Sequence, residues 1–411
     1  MAGGRRRLHR VCAHVVPPYT LCAQRSVGGV PLRVKPLTPG SQFGCTIDGI
    51  ALACSPLDPA TVRSLAAAFT EHSVLVFRGN PLSDAQQVDF TRQLAQELGT
   101  TLEPVHVVGG LQDVQAGDDD SRFLSKISNL NVDGQPIAVE SVKAIYNAGN
   151  QLWHSDSSFK KVSAMASCLA ARTPTANFIG GETEFVSQRL ALSTLPPLRV
   201  GSDKISRADL QSMTGVHDLG FSRGLLVAQW GVERPWAAEL PPSRHPLIAQ
   251  SLSSWSTETL FIGAHLSTIE GMGLHESREL IRQLNTHATQ PAADDCTGRL
   301  YRHTWQQDDL VIYDNRCCLH RGRPWVVAKG APASLARDMV RTTLMGRREE
   351  SDMGYLPDAE AALLSAPDRP ERLKLLKAAG VDFTEDEYHG GQGSYYAKVT
   401  PDLAVPATSG T

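Results

Sequence analysis

The sequence predicts an α+β protein with a mainly β core, and two kinds of segment carry this prediction. Short apolar runs such as Val74–Phe77 and residues 164–171 are typical of buried strands. Longer stretches with apolar residues at helical spacing, such as residues 275–287, are typical of helices that bury one face. Helices are therefore expected to pack against a core of strands.

Two capping signals place the first helices. Asp58 precedes Pro59, so an N-cap is followed by a proline at the first helical position, and a helix of about thirteen residues should begin here. Ser83 opens a second stretch of helical periodicity that ends near Gly99. Because Val74–Phe77 lies between the two, the sequence predicts a buried strand between helices.

The composition is that of a folded protein without an unusual charge. Hydrophobic residues make up 41% of the 411 residues, and the net charge of −3 gives no reason to expect nucleic-acid binding. No apolar stretch approaches the eighteen or so residues that a membrane span requires. The eight cysteines include no Cys-X-X-Cys pair, so neither a disulfide framework nor a zinc ribbon is indicated. We therefore expect a cytoplasmic protein that binds neither nucleic acid nor a membrane, and homo-oligomerisation stays open.

The two termini differ from the rest of the chain. Residues 1–30 form a basic leader, since the first acidic residue is Asp48. Arginine-rich leaders without acidic residues are typical of organelle transit peptides, so a mitochondrial or other organellar location is the alternative to a disordered tail. Residues 348–411 are predicted to be a C-terminal extension with one helix, over residues 368–380, and a loose tail.

The segment Trp153-His154-Ser155-Asp156 carries the clearest chemical signal. Side chains two apart on a strand point the same way, so a strand here would allow His154 and Asp156 to bind one metal ion. An imidazole and a carboxylate are two of the three ligands in the facial triad that holds non-haem iron. The third ligand should be a distant histidine. Taken alone the triplet is a weak signal, and a turn or an exposed strand is the alternative interpretation.

Three further motifs follow the first one in the chain. They are the turn Gly180-Gly181-Glu182-Thr183, the run Asp314-Asn315-Arg316 before His320, and the pair Arg337 and Arg341. Together with Trp-His-X-Asp-Ser-Ser-Phe, these motifs resemble the taurine and chlorophenoxyacetate dioxygenase (TauD/TfdA-like) family of iron(II)- and 2-oxoglutarate-dependent oxygenases. The resemblance covers about residues 31–345, so residues 31–347 are predicted to form one dioxygenase domain.

The resemblance implies both a fold and a metal centre. The fold would be a double-stranded β-helix, a jelly-roll or cupin-like barrel, with flanking helices and a large insertion within residues 186–265. The metal would be Fe²⁺, and the cosubstrates would be 2-oxoglutarate and O₂. The implied catalytic residues and metal ligands are His154, Asp156 and His320.

The resemblance also implies how two organic acids are bound. Guanidinium groups suit this task, because their planar fork donates two hydrogen bonds to a carboxylate. In the family pattern Thr183 and Arg337 bind 2-oxoglutarate, and Arg341 binds the acidic group of the substrate. A spacing of four on a strand would place both arginines on one face.

The spacing after His320 departs from the family pattern. Seventeen positions separate His320 from Arg337, more than is usual in the family, and residues 328–334 resemble a lengthened hairpin loop. A loop insertion need not disturb the strands that it joins. Arg321 and Arg323 remain alternatives to Arg337.

Further residues are candidates for contact with the substrate. Asn150, His217 and His265 are predicted contacts, although each histidine taken alone is more often structural. Residues 107–121 contain three glycines and an acidic run, which predict a mobile surface loop. This loop is either a lid over the substrate or a plain linker.

The predicted activity is hydroxylation of a small organic acid, coupled to conversion of 2-oxoglutarate into succinate and CO₂. A hydroxyl group placed beside a heteroatom would make the product fall apart, so the reaction could cleave its substrate. Two alternatives remain: a metal- and 2-oxoglutarate-binding protein of the same fold without turnover, and a zinc-dependent hydrolase, since two histidines and an aspartate also hold zinc.

Overall fold

The computed structural model describes residues 32–346, apart from residues 55, 106–119, 129–146, 148, 173–177, 224–240, 293–294, 324 and 328–336. The predicted leader 1–30, the predicted extension 348–411, the loop 328–334 and nearly all of the predicted lid 107–121 lie outside this part. Within it, no helix is long and apolar enough to cross a membrane.

The first two helices begin where the capping signals predict. The helices of the described region are α1 Pro59–His72, α2 Asp84–Glu97, α3 Gln188–Ser193, α4 Arg207–Ser212 and α5 Leu274–Thr289. Asp58 accepts hydrogen bonds from the first backbone N–H groups of α1, and Ser83 forms a reciprocal capping box with Gln86 at the start of α2. The prediction for residues 275–287 is confirmed, since the apolar face of α5 is buried at Leu280, Ile281 and Leu284.

The strands are short and run through the whole described region. In chain order they are β1 Arg33–Pro36, β2 Cys45–Asp48, β3 Val74–Phe77, β4 Ser125–Ser128, β5 Ala166–Ala171, β6 Phe178–Gly180, β7 Thr183–Ser187, β8 Leu198–Val200, β9 Asp203–Ile205, β10 Thr214–His217, β11 Ser243–Pro246, β12 Ile248–Gln250, β13 Glu258–Leu260, β14 Leu266–Ile269, β15 Leu300–His303, β16 Leu310–Asp314, β17 Cys318–Gly322, β18 Trp325–Val327 and β19 Asp338–Leu344.

The largest sheet has seven strands in the order β1-β2-β3-β16-β5-β19-β4. Its central strands β3, β5 and β16 are buried along their whole length, which explains their continuous apolar runs. One face packs against α1 and α2 through residues such as Leu65, Phe69, Phe90 and Leu94. The prediction of a buried strand between two helices is confirmed.

The opposite face of this sheet shares a second core with a three-stranded sheet of order β15-β7-β17. Val311 and Tyr313 of β16 pack in one cluster with Phe185 of β7 and Cys318 of β17. The remaining strands form the sheet β11-β10-β14 and the pairs β12-β13, β18-β6 and β8-β9. The α+β prediction is confirmed, and the described strands form separate sheets without a closed barrel.

Candidate metal centre

His154 and His320 face each other across an isolated β-bridge. The N–H of His154 donates to the carbonyl of His320 at 3.0 Å, and the N–H of His320 donates back at 2.9 Å. This exchange brings the two imidazole rings to within 4.3 Å, centre to centre. The first histidine and the distant one are therefore placed together by the backbone itself.

The predicted strand over His154 and Asp156 is wrong. Only His154 belongs to the bridge, and Asp156 begins a turn in which Ser157 has a positive φ of 59°. Ser155 donates its hydroxyl hydrogen to the carbonyl of Asn315 at 2.6 Å. Such side-chain bonds to the backbone compete with strand pairing. The two ligands nevertheless converge, because the turn brings Asp156 back beside the bridge.

The three predicted metal ligands form a compact buried cluster. One ligand atom from each of His154, Asp156 and His320 lies within 4.8 Å of the others. Asp156 Oδ1 is 3.6 Å from His154 Nε2, and Oδ2 is 3.7 Å from His320 Nε2. No other group of three such residues meets this criterion in the described part of the chain. The spacing suits one ion held on one face by three ligands.

Hydrogen bonding prepares His154 as a ligand. Its Nδ1 lies 2.7 Å from the carbonyl oxygen of Leu152. Because a carbonyl can only accept, Nδ1 carries the hydrogen and Nε2 keeps its lone pair for a metal. The pKa of His320 is lowered to about 3 by burial and by neighbouring His154, so the His320 imidazole is neutral at pH 7.

Asp156 supplies the negative charge of the centre. Burial favours the neutral carboxyl, but Arg341, His320 and His154 outweigh it and hold the pKa of Asp156 well below its usual range. One carboxylate and two neutral imidazoles would leave a bound divalent ion with a net charge of about +1. A doubly negative cosubstrate complements that charge.

A cavity of about 60 Å³ is lined by two of the three ligands, His154 and His320, whereas Asp156 is not among its lining residues. Six of the residues predicted from the sequence line it together: His154, His320, Thr183, Arg337, Arg341 and Asn150. Its other walls are formed by residues with amide, hydroxyl and apolar groups: Ile127, Ser128, Asn147, Gln151, Leu169, Tyr313 and Gly322. The cavity therefore joins the metal centre to two guanidinium groups.

The two arginines occupy different surroundings. Arg341, in the middle of β19, donates from Nη1 to Asp156 Oδ1 at 2.8 Å, while its Nε finds no hydrogen-bond partner among the described residues. Arg337 immediately precedes β19 and is 5% exposed. The predicted spacing on one face agrees with this arrangement, because both side chains reach the same cavity.

The two alternatives to Arg337, Arg321 and Arg323, form ion pairs with a glutamate instead. Arg321 donates from Nε to Glu184 at 2.7 Å and lies over the ring of Trp153. Arg323 pairs with the same carboxylate at 3.2 Å. Both guanidinium groups thus contact Glu184, a residue to which the sequence analysis gave no role.

Thr183 has a hydroxyl hydrogen available for a ligand. The indole N–H of Trp305 donates to Thr183 Oγ1 at 2.9 Å, and Thr183 is buried in the wall of the cavity. Because the oxygen already accepts from Trp305, the hydroxyl hydrogen can point toward an acceptor in the cavity.

His217 and His265 are buried, and neither is among the residues that line the cavity. His217 hydrogen-bonds to Ser158 at 3.1 Å and stacks on Phe261. His265 hydrogen-bonds to Ser222 and meets the ring of His154 edge-on, 6.1 Å away. Both histidines thus pack beside the segment that carries His154 and Asp156.

A buried His–Asp–His cluster beside an arginine-lined cavity, in an α+β fold rich in strands, is typical of non-haem metal oxygenases. The family model described as "Taurine catabolism dioxygenase TauD, TfdA family" matches residues 33–343. The chain belongs to this family.

Relatives and solved structures agree with the assignment. The alpha-ketoglutarate-dependent 2,4-dichlorophenoxyacetate dioxygenase of Burkholderia sp. (strain RASC) is 37% identical, over 74% of this chain and 91% of the relative. The (S)-phenoxypropionate/alpha-ketoglutarate-dioxygenase of Delftia acidovorans is 30% identical, over 76% and 96%. The structure of AAD-2 in complex with Mn(II) and N-oxalylglycine is similar with a TM-score of 0.60 and 30% identity, over 77% of this chain and 97% of that one.

The protein is therefore a 2-oxoglutarate-dependent dioxygenase that uses Fe²⁺ and O₂. This confirms the family, the enzyme class and the cofactors predicted from the sequence. The ligand set fits the metal, because the donors are two neutral imidazoles and one carboxylate in a buried cluster. The family assignment disfavours the two alternatives, a binding protein without turnover and a zinc hydrolase.

Proposed function

We propose that this dioxygenase hydroxylates a small aryloxy carboxylic acid of the phenoxyacetate type. The single observation that carries the proposal is Arg341, whose guanidinium lies in the cavity beside the metal-binding carboxylate with its Nε free of partners in the described region. An anionic substrate that binds Arg341 is held next to the metal. The two relatives named for phenoxyacetate and phenoxypropionate substrates support this chemistry.

The residues of the chain would divide the binding tasks. Bound iron(II), 2-oxoglutarate and O₂ supply the oxidising chemistry, with release of succinate and CO₂. Arg337 and Thr183 would bind the far carboxylate of 2-oxoglutarate, since one offers a charged fork and the other a hydroxyl donor in the same cavity. Arg341 would orient the substrate carboxylate, and Asn150 would offer an amide to the ether oxygen or the carboxylate.

The site of hydroxylation would decide the product. A hydroxyl group on the aliphatic carbon between the ether oxygen and the carboxylate gives a hemiacetal. A hemiacetal separates into a phenol and a carbonyl compound, so hydroxylation at this carbon cleaves the ether. We propose this carbon as the target, because it adjoins the carboxylate that Arg341 would hold.

The fold that supports this site is proposed to be a double-stranded β-helix. Two sheets, β1-β2-β3-β16-β5-β19-β4 and β15-β7-β17, share one core cluster, as the two halves of such a barrel do. His154 and His320 bridge at its edge. Residues 31–347 would form this one domain, flanked by the leader 1–30 and the extension 348–411.

A comparison of charged and uncharged substrates tests the proposal. Purified protein with Fe²⁺, ascorbate and 2-oxoglutarate should release succinate and a phenol from phenoxyacetate. It should release far less from phenoxyethanol, which has the same ring and ether but no carboxylate. Equal turnover of both compounds would contradict a role for the acid group. Turnover of taurine or a sulfate ester without turnover of any aryloxy acid would contradict the substrate class.

A further inference from the structure

A closed ring of hydrogen bonds surrounds the carboxylate of Asp156. It runs from the backbone N–H of Asp156 to Asn315, from Asn315 to Ser167, and from Ser167 back to the side chain of Asp156. The three residues are 7%, 1% and 0% exposed. Water is thus largely excluded from a ring that joins the backbone of a metal ligand to its own carboxylate.

The chemistry of the donors fixes the direction of every bond in the ring. A backbone N–H can only donate, so the atom of Asn315 that lies 3.3 Å from the N–H of Asp156 is the oxygen Oδ1. The other atom, Nδ2, can only donate, and it lies 3.0 Å from Ser167 Oγ. The single hydrogen of Ser167 therefore points to Asp156 Oδ2, 2.7 Å away.

The ring also selects the oxygen that remains for the metal. An ionised carboxylate offers about four lone-pair directions. Ser167 and the hydroxyl of Tyr313 both donate to Oδ2, and Arg341 donates to Oδ1. One direction remains, and it belongs to Oδ1, which lies 3.6 Å from His154 Nε2.

We propose that Ser167 is a positioning residue for the metal centre, and that its hydroxyl, oriented by Asn315, holds Asp156 so that the metal is bound through Oδ1 alone. Sheet register places this hydroxyl, since Ser167 of β5 lies directly opposite Tyr313 of β16. Loss of the hydroxyl leaves Oδ2 with only the longer hydrogen bond from Tyr313, at 3.2 Å, so the carboxylate is held less firmly, and an amide hydrogen of Asn315 loses its acceptor. A carboxylate that must be ordered at the moment of binding holds the metal less tightly.

Mn(II) affinity in the absence of 2-oxoglutarate separates this role from a role in folding. Ser167→Ala should weaken Mn(II) binding about 10- to 100-fold, the usual effect of removing a hydrogen bond to a metal ligand. Ser167→Thr keeps the hydroxyl and should restore most of the affinity. The metal-free variants should still unfold cooperatively.

Thr342→Val is the matched control. Thr342 is a buried hydroxyl residue on the neighbouring strand β19, and it faces away from the cavity because it alternates with Arg341. This variant should bind Mn(II) as the unaltered protein does. A weakening equal to that of Ser167→Ala would show that any buried hydroxyl of this sheet has the same effect, and it would overturn the proposal.

A double-mutant cycle tests whether Asn315 acts by orienting the hydroxyl of Ser167. Asn315→Ala should weaken Mn(II) binding less than Ser167→Ala does, and the double variant should lose no more than Ser167→Ala alone. If Ser167→Ala does not fold, Ser167→Cys fills a similar space with a weaker S–H donor and should show a smaller loss. Unchanged affinity in whichever of these two variants folds, or fully additive losses in the cycle, would overturn the proposal.

Discussion

Arg337 and Arg341 carry the same side chain into the same cavity but have different surroundings. Arg341 pairs with Asp156 and so lies next to the metal ligands, whereas Arg337 immediately precedes β19 and lines the cavity together with Thr183. An anion bound at Arg341 is held close to the metal. An anion bound at Arg337 reaches the metal only if the molecule carries a second group that extends there, as 2-oxoglutarate does.

Alanine variants of the two arginines should therefore separate the two Michaelis constants. Arg337→Ala leaves a carboxylate unpaired in a buried pocket, a loss of roughly 2–5 kcal/mol, which corresponds to about 30-fold to a few thousand-fold weaker 2-oxoglutarate binding. Arg341→Ala should instead raise the constant for the organic acid. Arg323→Ala is the control, because Arg323 pairs with Glu184, and both constants should stay nearly unchanged. A larger effect of Arg341→Ala on 2-oxoglutarate would exchange the two roles.

At the residue scale, the sequence identifies site residues that belong to a short motif. It misses residues that reach the site only because two distant strands pair. His154 and Asp156 are recognisable because they lie two positions apart, and His320 because of the motif that precedes it. Ser167 has no such signal, since a serine in an apolar strand meets Asp156 only through pairing with β16. The engagement of Arg321 by Glu184 depends likewise on strands paired across a sheet.

At the scale of elements, a buried glutamine joins helix α2 to the large sheet. Gln87 is fully buried, and its Nε2 donates to the carbonyls of Cys168 in β5 and Val340 in β19, each at 3.1 Å. Its Oε1 accepts from Arg172 at 2.7 Å. The amide therefore fixes the helix on the two strands that carry Ser167 and Arg341.

Replacing this amide with a hydrocarbon of similar volume should lower stability. Gln87→Leu removes hydrogen bonds that are buried with their partners, so the free energy of unfolding should fall by about 1–3 kcal/mol. Gln96→Leu, at an exposed position of the same helix, is the control and should change it little. Urea unfolding of the metal-free proteins measures both. Equal stability of Gln87→Leu and the unaltered protein would mean that packing alone holds the helix on the sheet.

Helices were more predictable than strands for a physical reason. Caps and apolar periodicity are local, so α1, α2 and α5 follow from Asp58, Ser83 and the spacing of their own apolar residues. A strand is completed by a partner distant in the sequence. The segment at Asp156 becomes a turn because Ser155 and Asn315 bond across it, and the sequence near Asp156 does not contain that partner.

At the scale of the whole molecule, buried histidines join the sheet β11-β10-β14 to the turn that begins at Asp156. His217 and His245 both pack on Phe261. His217 hydrogen-bonds to Ser158 and His245 to the carbonyl of Lys160, and both partners follow Asp156 closely in the chain. The sequence made His217 a candidate substrate contact, because it gives the residue type but does not give the side chains that pack around it. These packed rings link strands β10 and β11 to the metal-binding turn.

Acid should destabilise the protein in the range where histidines normally titrate. Burial lowers the pKa of His245 to about 4 and holds the pKa values of His217 and His265 well below their usual range. Unfolded histidines titrate near pH 6.5, so between pH 6.5 and 4 the unfolded chain binds protons that the folded protein does not, and stability falls as the pH falls.

His245 alone should contribute a loss of roughly 3 kcal/mol across the range from pH 6.5 to pH 4, at about 1.4 kcal/mol per unit of pKa shift. Urea unfolding of the metal-free protein at pH 7, 6 and 5 measures how the free energy of unfolding depends on pH. His245→Gln should make this slope shallower, because about one proton fewer is taken up on unfolding. His275→Gln, at an exposed position in the first turn of α5, should leave the slope almost unchanged. The same free energy of unfolding at pH 7 and pH 5 would show that the buried imidazoles take up protons as readily as those of the unfolded chain.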